Sequence, residues 1–129
     1  MSMQRLQDPA AFQAVLSALQ ATSGSGLFCF FGSELPDQEL SWCPDCVTAD
    51  PVIRMTLQQV RPELVFYACP VGSREQWRCH DHVYRQHPFC RLERIPTVIL
   101  MERGLEIGRL VEEDCADEQL LAAFVAGER

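Results

Sequence analysis

Blocks of apolar and polar residues divide the chain into a short series of helices and buried strands. Phe12, Val15, Leu16 and Leu19 recur at helical spacing behind Asp8-Pro9, where aspartate can cap free amides and proline suits the first helical position. Ser23-Gly24-Ser25-Gly26 stops that helix. Leu27 to Phe31 is an unbroken apolar run, as expected of a strand covered on both faces. Gly32 to Leu40 is polar, is interrupted by Gly32 and Pro36, and reads as a surface loop. From Cys46 the period turns helical through Val47, Val52, Ile53, Met55, Leu57 and Val60, and Arg61-Pro62 ends it. Pro51 falls inside this helix, removes one backbone hydrogen bond and is expected to kink it.

Leu64 to Ala68 predicts a second buried strand. Pro70 to Arg94 is the least regular third, with Trp77, Val83 and Tyr84 suggesting one or two short helices. Ile95-Pro96-Thr97 opens a third apolar run, Val98 to Met101. The tight turn Arg103-Gly104 joins it to a partnered strand over Leu105 to Val111. Asp114 or Asp117 caps a last helix with Leu120, Leu121, Phe124 and Val125 on its apolar face, ended by Gly127. This order, with no repeat, low-complexity tract or linker, predicts a single α/β layer domain over residues 1–129.

Composition narrows the function classes. The chain is 47 % hydrophobic, ample for a packed core at this length, and its formal charge is −7. Every basic residue is arginine. That balance argues against nucleic acid and anionic membranes as main partners. Between Leu6 and Ile53 the charged residues are all acidic: Asp8, Glu34, Asp37, Glu39, Asp45 and Asp50. Such a surround disfavours strongly anionic substrates and opposes thiolate formation. The seven cysteines are an odd number. Residues 1–7 lack the apolar core of a signal peptide, and no apolar run approaches the ~20 residues that span a bilayer. The expected setting is the cytoplasm, where thiols are reduced and a Cys-x-x-Cys is catalytic or metal-binding rather than a staple.

The strongest chemical signal is Ser41-Trp42-Cys43-Pro44-Asp45-Cys46. Cys43 falls at or just before a helix start, where free amides and the helix dipole favour a thiolate. Cys46, one turn later, can reach back to it across a tight turn. Pro44 limits that turn, and the charge of Asp45 tempers the fall in thiol pKa. Two ordinary buried thiols, or half a zinc site, are the bland alternatives. Trp42 before the pair, a strand behind it and a kinked helix after it favour redox chemistry.

Trp42-Cys43-x-x-Cys46, Pro51 and Ile95-Pro96-Thr97 resemble the marks of a thioredoxin domain. The variant Trp42-Cys43-Pro44-Asp45-Cys46-Val47 with Asp50-Pro51-Val52 is similar to the 14-kDa thioredoxin-related protein (thioredoxin domain-containing protein 17) family. The similarity continues through Phe66 to Gly72, Trp77, Tyr84-Arg85 and Leu110 to Cys115, and the loop Gly32 to Leu40 belongs to it. The resemblance implies a thioredoxin-like α/β fold, a central mixed sheet with helices on both faces. It implies a cytoplasmic protein-disulfide reductase of narrow range, acting on protein and small-molecule disulfides and recharged by a thioredoxin reductase. By position, Cys43 is the nucleophile, Cys46 the resolving thiol and Pro96 a cis proline of the substrate groove. Trp42, Pro44 and Asp45 complete the expected contact surface. No metal or organic cofactor is required.

Two departures matter. Ordinary thioredoxins bury an acid in the strand behind the pair. Here the matching place holds Cys29, leaving Asp45, Asp50 or water to take the Cys46 proton. The segment Arg78 to Arg91 is longer than the family pattern and rich in cysteine and histidine: Cys79-His80-Asp81-His82 and His87-Pro88-Phe89-Cys90. With Cys43 and Cys46 these could form a zinc site, making the chain a non-catalytic zinc-binding or redox-sensing module, or Cys79 and Cys90 could pair. Cys29, Cys69 and Cys115 read as core residues, and Trp77 and Tyr84 as packing.

Overall fold

The chain, described over residues 1–127 in a computed structural model, is built on strands the sequence marks as covered on both faces. Strands β2 (Gly26–Phe31) and β3 (Phe66–Pro70) pair in parallel with Cys29 opposite Ala68. On the other side of β2 runs β4 (Thr97–Glu102), antiparallel, followed by antiparallel β5 (Leu105–Val111). An unexpected strand, β1 (Met3–Arg5), adds in parallel to the outer edge of β3. Its residues are all exposed, so backbone pairing rather than apolar burial forms it. The described residues thus give a five-stranded mixed sheet in the order β1-β3-β2-β4-β5.

Period-two alternation in β2 splits the core into two layers. Phe28 and Phe30 face one side, where α1 (Pro9–Thr22) brings Phe12 and Leu16. Phe12 meets Phe28 edge-on at 5.1 Å and Tyr84 at 5.4 Å, contacts that add roughly 0.5–1.5 kcal/mol each beyond burial. Leu27 and Cys29 face the opposite side with Ile53 and Leu57 of α2 (Pro44–Val60) and Leu121 and Val125 of α5 (Glu118–Ala126). Helices therefore cover both faces, as the resemblance implies. No helix among the described residues is long and apolar enough to cross a membrane.

Some boundaries differ from the sequence reading. Helix α2 begins at Pro44 and runs on through Pro51. Strand β3 starts at Phe66, because Leu64 is taken up by a turn in which its N–H donates to the Arg61 carbonyl. The irregular third holds two short helices, α3 (Arg74–Arg78) and α4 (Val83–Gln86). Asp117 caps α5, accepting from the Leu120 N–H at 3.0 Å, and the acidic run before it forms a 3-10 turn, Glu112–Ala116. Between β4 and β5, Arg103 and Gly104 both take left-handed φ (53° and 79°). A Cβ at Gly104 would lie 3.2 Å from the carbonyl oxygens of Leu19 and Gln20.

Candidate functional site

The candidate site forms where β2 ends and α2 begins. Cys43 is the N-cap of α2: its backbone is extended (φ −95°, ψ 110°) and its sulfur accepts from the Cys46 N–H at 3.3 Å. Pro44 fits the first helical position, since an N–H there would find no acceptor within the helix. Ser41 Oγ accepts from the Cys43 N–H at 3.0 Å and fixes the entry to the turn. The Cys46 thiol donates to Cys43 Sγ across 2.6 Å, and both residues are buried (5 % and 4 % exposed).

This geometry separates the two thiols electrostatically. Cys43 is lowered from 9.0 to about 7, first by the hydrogen bond from the Cys46 thiol. Burial opposes that fall, the backbone amides of Cys46 and Asp45 assist it, and the Asp45 charge opposes it. Cys46 is pushed far upward, first because its proton is engaged by Cys43 and then by burial. The Gly32 N–H, donating to the Cys46 sulfur, acts in the opposite sense. The pair shares its first proton loss, and the charge settles on Cys43. An anionic sulfur beside a thiol within bonding reach is the arrangement thiol–disulfide exchange requires.

Trp42 is half-buried beside the pair and its indole N–H donates to the Gly72 carbonyl at 2.8 Å. The Arg74 guanidinium lies 4.8 Å over the ring. Gly32 allows the ring to approach the end of β2, because a Cβ there would stand 2.6 Å from the indole. The loop from Gly32 to Leu40 is tied down by a bridge between Glu34 and Ser41 and by Ser33, which donates to and accepts from Gly72. Pro44 and Asp45 are exposed. The Ile95–Pro96 bond is cis, and Pro96 lines, with Cys46, a cavity of about 480 Å³. Cys29, Ala49, Ile53 and Ala68 also line it, as do two ion pairs, Arg5–Glu34 (2.8 Å) and Arg54–Asp50 (3.0 Å).

The remaining sulfurs are dispersed. The seven cysteines are free thiols, so Cys79 and Cys90 are not paired. Burial pushes Cys29 and Cys69 far upward and Cys90 and Cys115 to about 12. Cys79 is exposed, with its thiol directed at the Glu75 carbonyl. His82 and His87 act as local caps: their Nδ1 atoms accept from the N–H groups of Tyr84 and Phe89, and Nε2 contacts the Val71 carbonyl and Gln13 Oε1. Among the described residues no group of three or more His, Cys, Asp or Glu is placed to hold a metal ion, so the zinc alternative has no assembled ligand set. The sequence reading missed the Gly32 N–H, the Gly72 carbonyl and Arg74. Two of these are backbone groups, whose only trace in the sequence is a glycine on each side of Trp42.

Comparison with known proteins agrees with this geometry. The profile of the family described as thioredoxin domain-containing protein 17-like, thioredoxin domain, matches residues 7–127. Mouse thioredoxin domain-containing protein 17 is 33 % identical over 110 residues, covering 85 % of each chain. The thioredoxin-like protein Clot of Arabidopsis thaliana is 28 % identical over 123 residues, 92 % of each chain. The oxidised crystal structure of thioredoxin O2 from Arabidopsis thaliana superposes with a TM-score of 0.70 at 18 % identity, covering 97 % of this chain and 95 % of that one, which shows the shared fold. At the coarse level these relationships support a function of the thiol–disulfide oxidoreductase kind. The chain belongs to the thioredoxin domain-containing protein 17 family.

Proposed function

We propose that the chain is a protein-disulfide reductase working through Cys43 and Cys46. The observation that carries this reading is the geometry of the pair: Cys43 caps α2 and accepts from the Cys46 thiol at 2.6 Å, which lowers Cys43 to about 7 while its neighbour holds its proton. In the first step the Cys43 thiolate attacks one sulfur of a substrate disulfide. A Cys43–substrate bond forms, the substrate S–S bond breaks, and one substrate thiolate leaves. In the second step Cys46 loses its proton and attacks Cys43 Sγ, releasing the other substrate thiolate. The substrate gains two electrons and the chain keeps a Cys43–Cys46 disulfide. A thioredoxin reductase or a similar electron donor then restores the dithiol. Trp42, Pro44, Asp45 and Pro96 form the surface that meets the substrate. A reducing compartment such as the cytoplasm suits this direction of transfer.

The test is trapping. Cys46→Ser is expected to accumulate a Cys43–substrate mixed disulfide that mass spectrometry assigns, and Cys43→Ser is expected to form none and to lose turnover. Equal residual turnover in the two variants would sink the assignment of roles.

A further inference from the structure

We propose that Asp50, one turn along α2 from Cys46, takes the Cys46 proton through solvent admitted to the cavity behind the pair. The inference deepens the reductase reading and rests on it. A resolving thiol must be deprotonated before it attacks. The sheet offers no group for this: the place facing α2 from β2 is Cys29, its partner across β3 is Ala68, and burial pushes the Cys29 thiol far upward. The acceptor has to come from another element.

Helix α2 provides it. Cys46 and Asp50 are four residues apart, hence on one helix face, and both line the cavity of about 480 Å³. Cys29 lines the same cavity, and the Asp50 charge is one of the lesser causes that raise its thiol. Val47 and Pro51 form part of the same wall. Pro51 has no N–H, so the Val47 carbonyl lacks the donor an ordinary helix would supply. The cavity is large enough to hold water between Cys46 and Asp50, which both line it.

The other charged groups facing the cavity are Arg5 from β1, Glu34 and Glu39 from the loop, and Arg54 from α2. They suit the task less well. Both Glu34 oxygens are held by Arg5, at 2.8 and 3.0 Å, which lowers its carboxyl and makes it a weaker base. Glu39 is an exposed loop residue. Arg54 approaches Asp50 through Nε alone, 3.0 Å from each oxygen, which leaves further lone pairs on both. Asp45 belongs to the Cys43 side, where its charge opposes the fall in pKa, and it does not line the cavity. The step balances: the Cys46 S–H gives its proton to water as water gives one to the Asp50 carboxylate. The Cys46 thiolate then attacks Cys43 Sγ, the substrate thiolate departs, and Asp50 returns its proton to solvent or to that thiolate.

The test uses equimolar dithiodipyridine, whose lack of charge makes it indifferent to the loss of a carboxylate, with the full chain in a Cys79→Ser background, in a stopped-flow instrument. The first thiopyridone is released by attack of Cys43 and the second by resolution through Cys46, so two phases report two steps. Asp50→Asn is expected to leave the first phase unchanged. It is expected to slow the second at least tenfold, on the order of a general-base effect, near pH 6, with recovery as pH rises. Asp50→Glu is expected to restore most of the loss, which a purely structural role for the aspartate would not do. Second phases with the same pH profile in Asp50→Asn and the parent overturn the role of Asp50 while leaving the reductase reading intact. A profile that moves in Glu39→Gln but not in Asp50→Asn does the same. Failure of the parent to form a mixed disulfide at all overturns the reductase reading and this inference with it.

Discussion

Replacing Cys46 by alanine removes the largest cause of the lowered Cys43 pKa, the thiol that donates across 2.6 Å. The backbone donors at residues 45 and 46 remain, and burial of Cys43 still opposes ionisation. Cys43 is therefore expected to climb from about 7 back toward its ordinary 9.0. Two pKa units correspond to about 3 kcal/mol between protonation states. For an acid, a lowered pKa means more anion at a given pH. Near pH 7 the parent is about half thiolate and the variant about one-hundredth, a ratio of about fifty. Intrinsic nucleophilicity falls with pKa, with a Brønsted slope of about 0.4–0.5, so each parent thiolate is about six- to tenfold less reactive. The net expectation is a parent roughly five- to eightfold faster near pH 7 and a variant faster near pH 10, with the two curves crossing between. The assay is the first phase of thiopyridone release from dithiodipyridine, an uncharged disulfide, followed against pH with Cys79→Ser in both proteins to silence the exposed thiol. Cys46→Ser, which keeps a hydroxyl donor, is expected to fall between them. A Cys46→Ala midpoint still near 7, with no crossing, would refute the reasoning and assign the low pKa to the helix end.

Other outcomes follow from the same geometry. Asp45→Asn removes a charge that holds the Cys43 pKa up, so the midpoint of that curve is expected to move to lower pH. Gly32→Ala sets a Cβ 2.6 Å from the Trp42 ring, so overpacking is expected to cost about 1–3 kcal/mol in urea denaturation and to shift tryptophan emission. Arg61→Met removes a guanidinium that bonds Glu102 at 2.6 Å and the Val125 carbonyl at 3.2 Å, where side chains are only 10 % and 13 % exposed. Denaturation is expected to show a loss of about 3–5 kcal/mol. Arg5→Met breaks the more exposed Arg5–Glu34 pair and is expected to cost about 1 kcal/mol or less. Equal costs in the two arginine variants would contradict the burial argument.

Burial on both faces made the central strands legible. Leu27 to Phe31 and Val98 to Met101 are continuous apolar runs, and β2 and β4 fall on them almost residue for residue. Strand β1 left no such trace, because Met3, Gln4 and Arg5 contribute backbone bonds to β3 and no side chain to the core. The acidic run Glu112-Glu113-Asp114 winds into a 3-10 segment that leaves Glu113 and Asp114 exposed and buries Cys115 against α2 and α5, a packing role that the run itself does not signal. In the site, the spacing of Cys43 and Cys46, the cap geometry and the tempering charge of Asp45 were all readable from residue types. The Gly32 amide on Cys46 and the Gly72 carbonyl on Trp42 were not, because chain segments remote in sequence bring them there. The cysteine–histidine segment was legible only as residue types, for a related reason. Its cysteines and histidines are of ligand type but match no standard zinc spacing, and folding turns His82 and His87 into caps and separates buried Cys90 from exposed Cys79.

The most direct test of the central claim is a redox titration of the metal-free chain in glutathione or dithiothreitol buffers, read by Trp42 emission and by thiol counting. The account predicts a reversible two-electron transition at roughly −230 to −270 mV, in the range of glutaredoxins and thioredoxin, that vanishes in Cys43→Ser. A transition that survives in Cys43→Ser, or none in the parent, would contradict it.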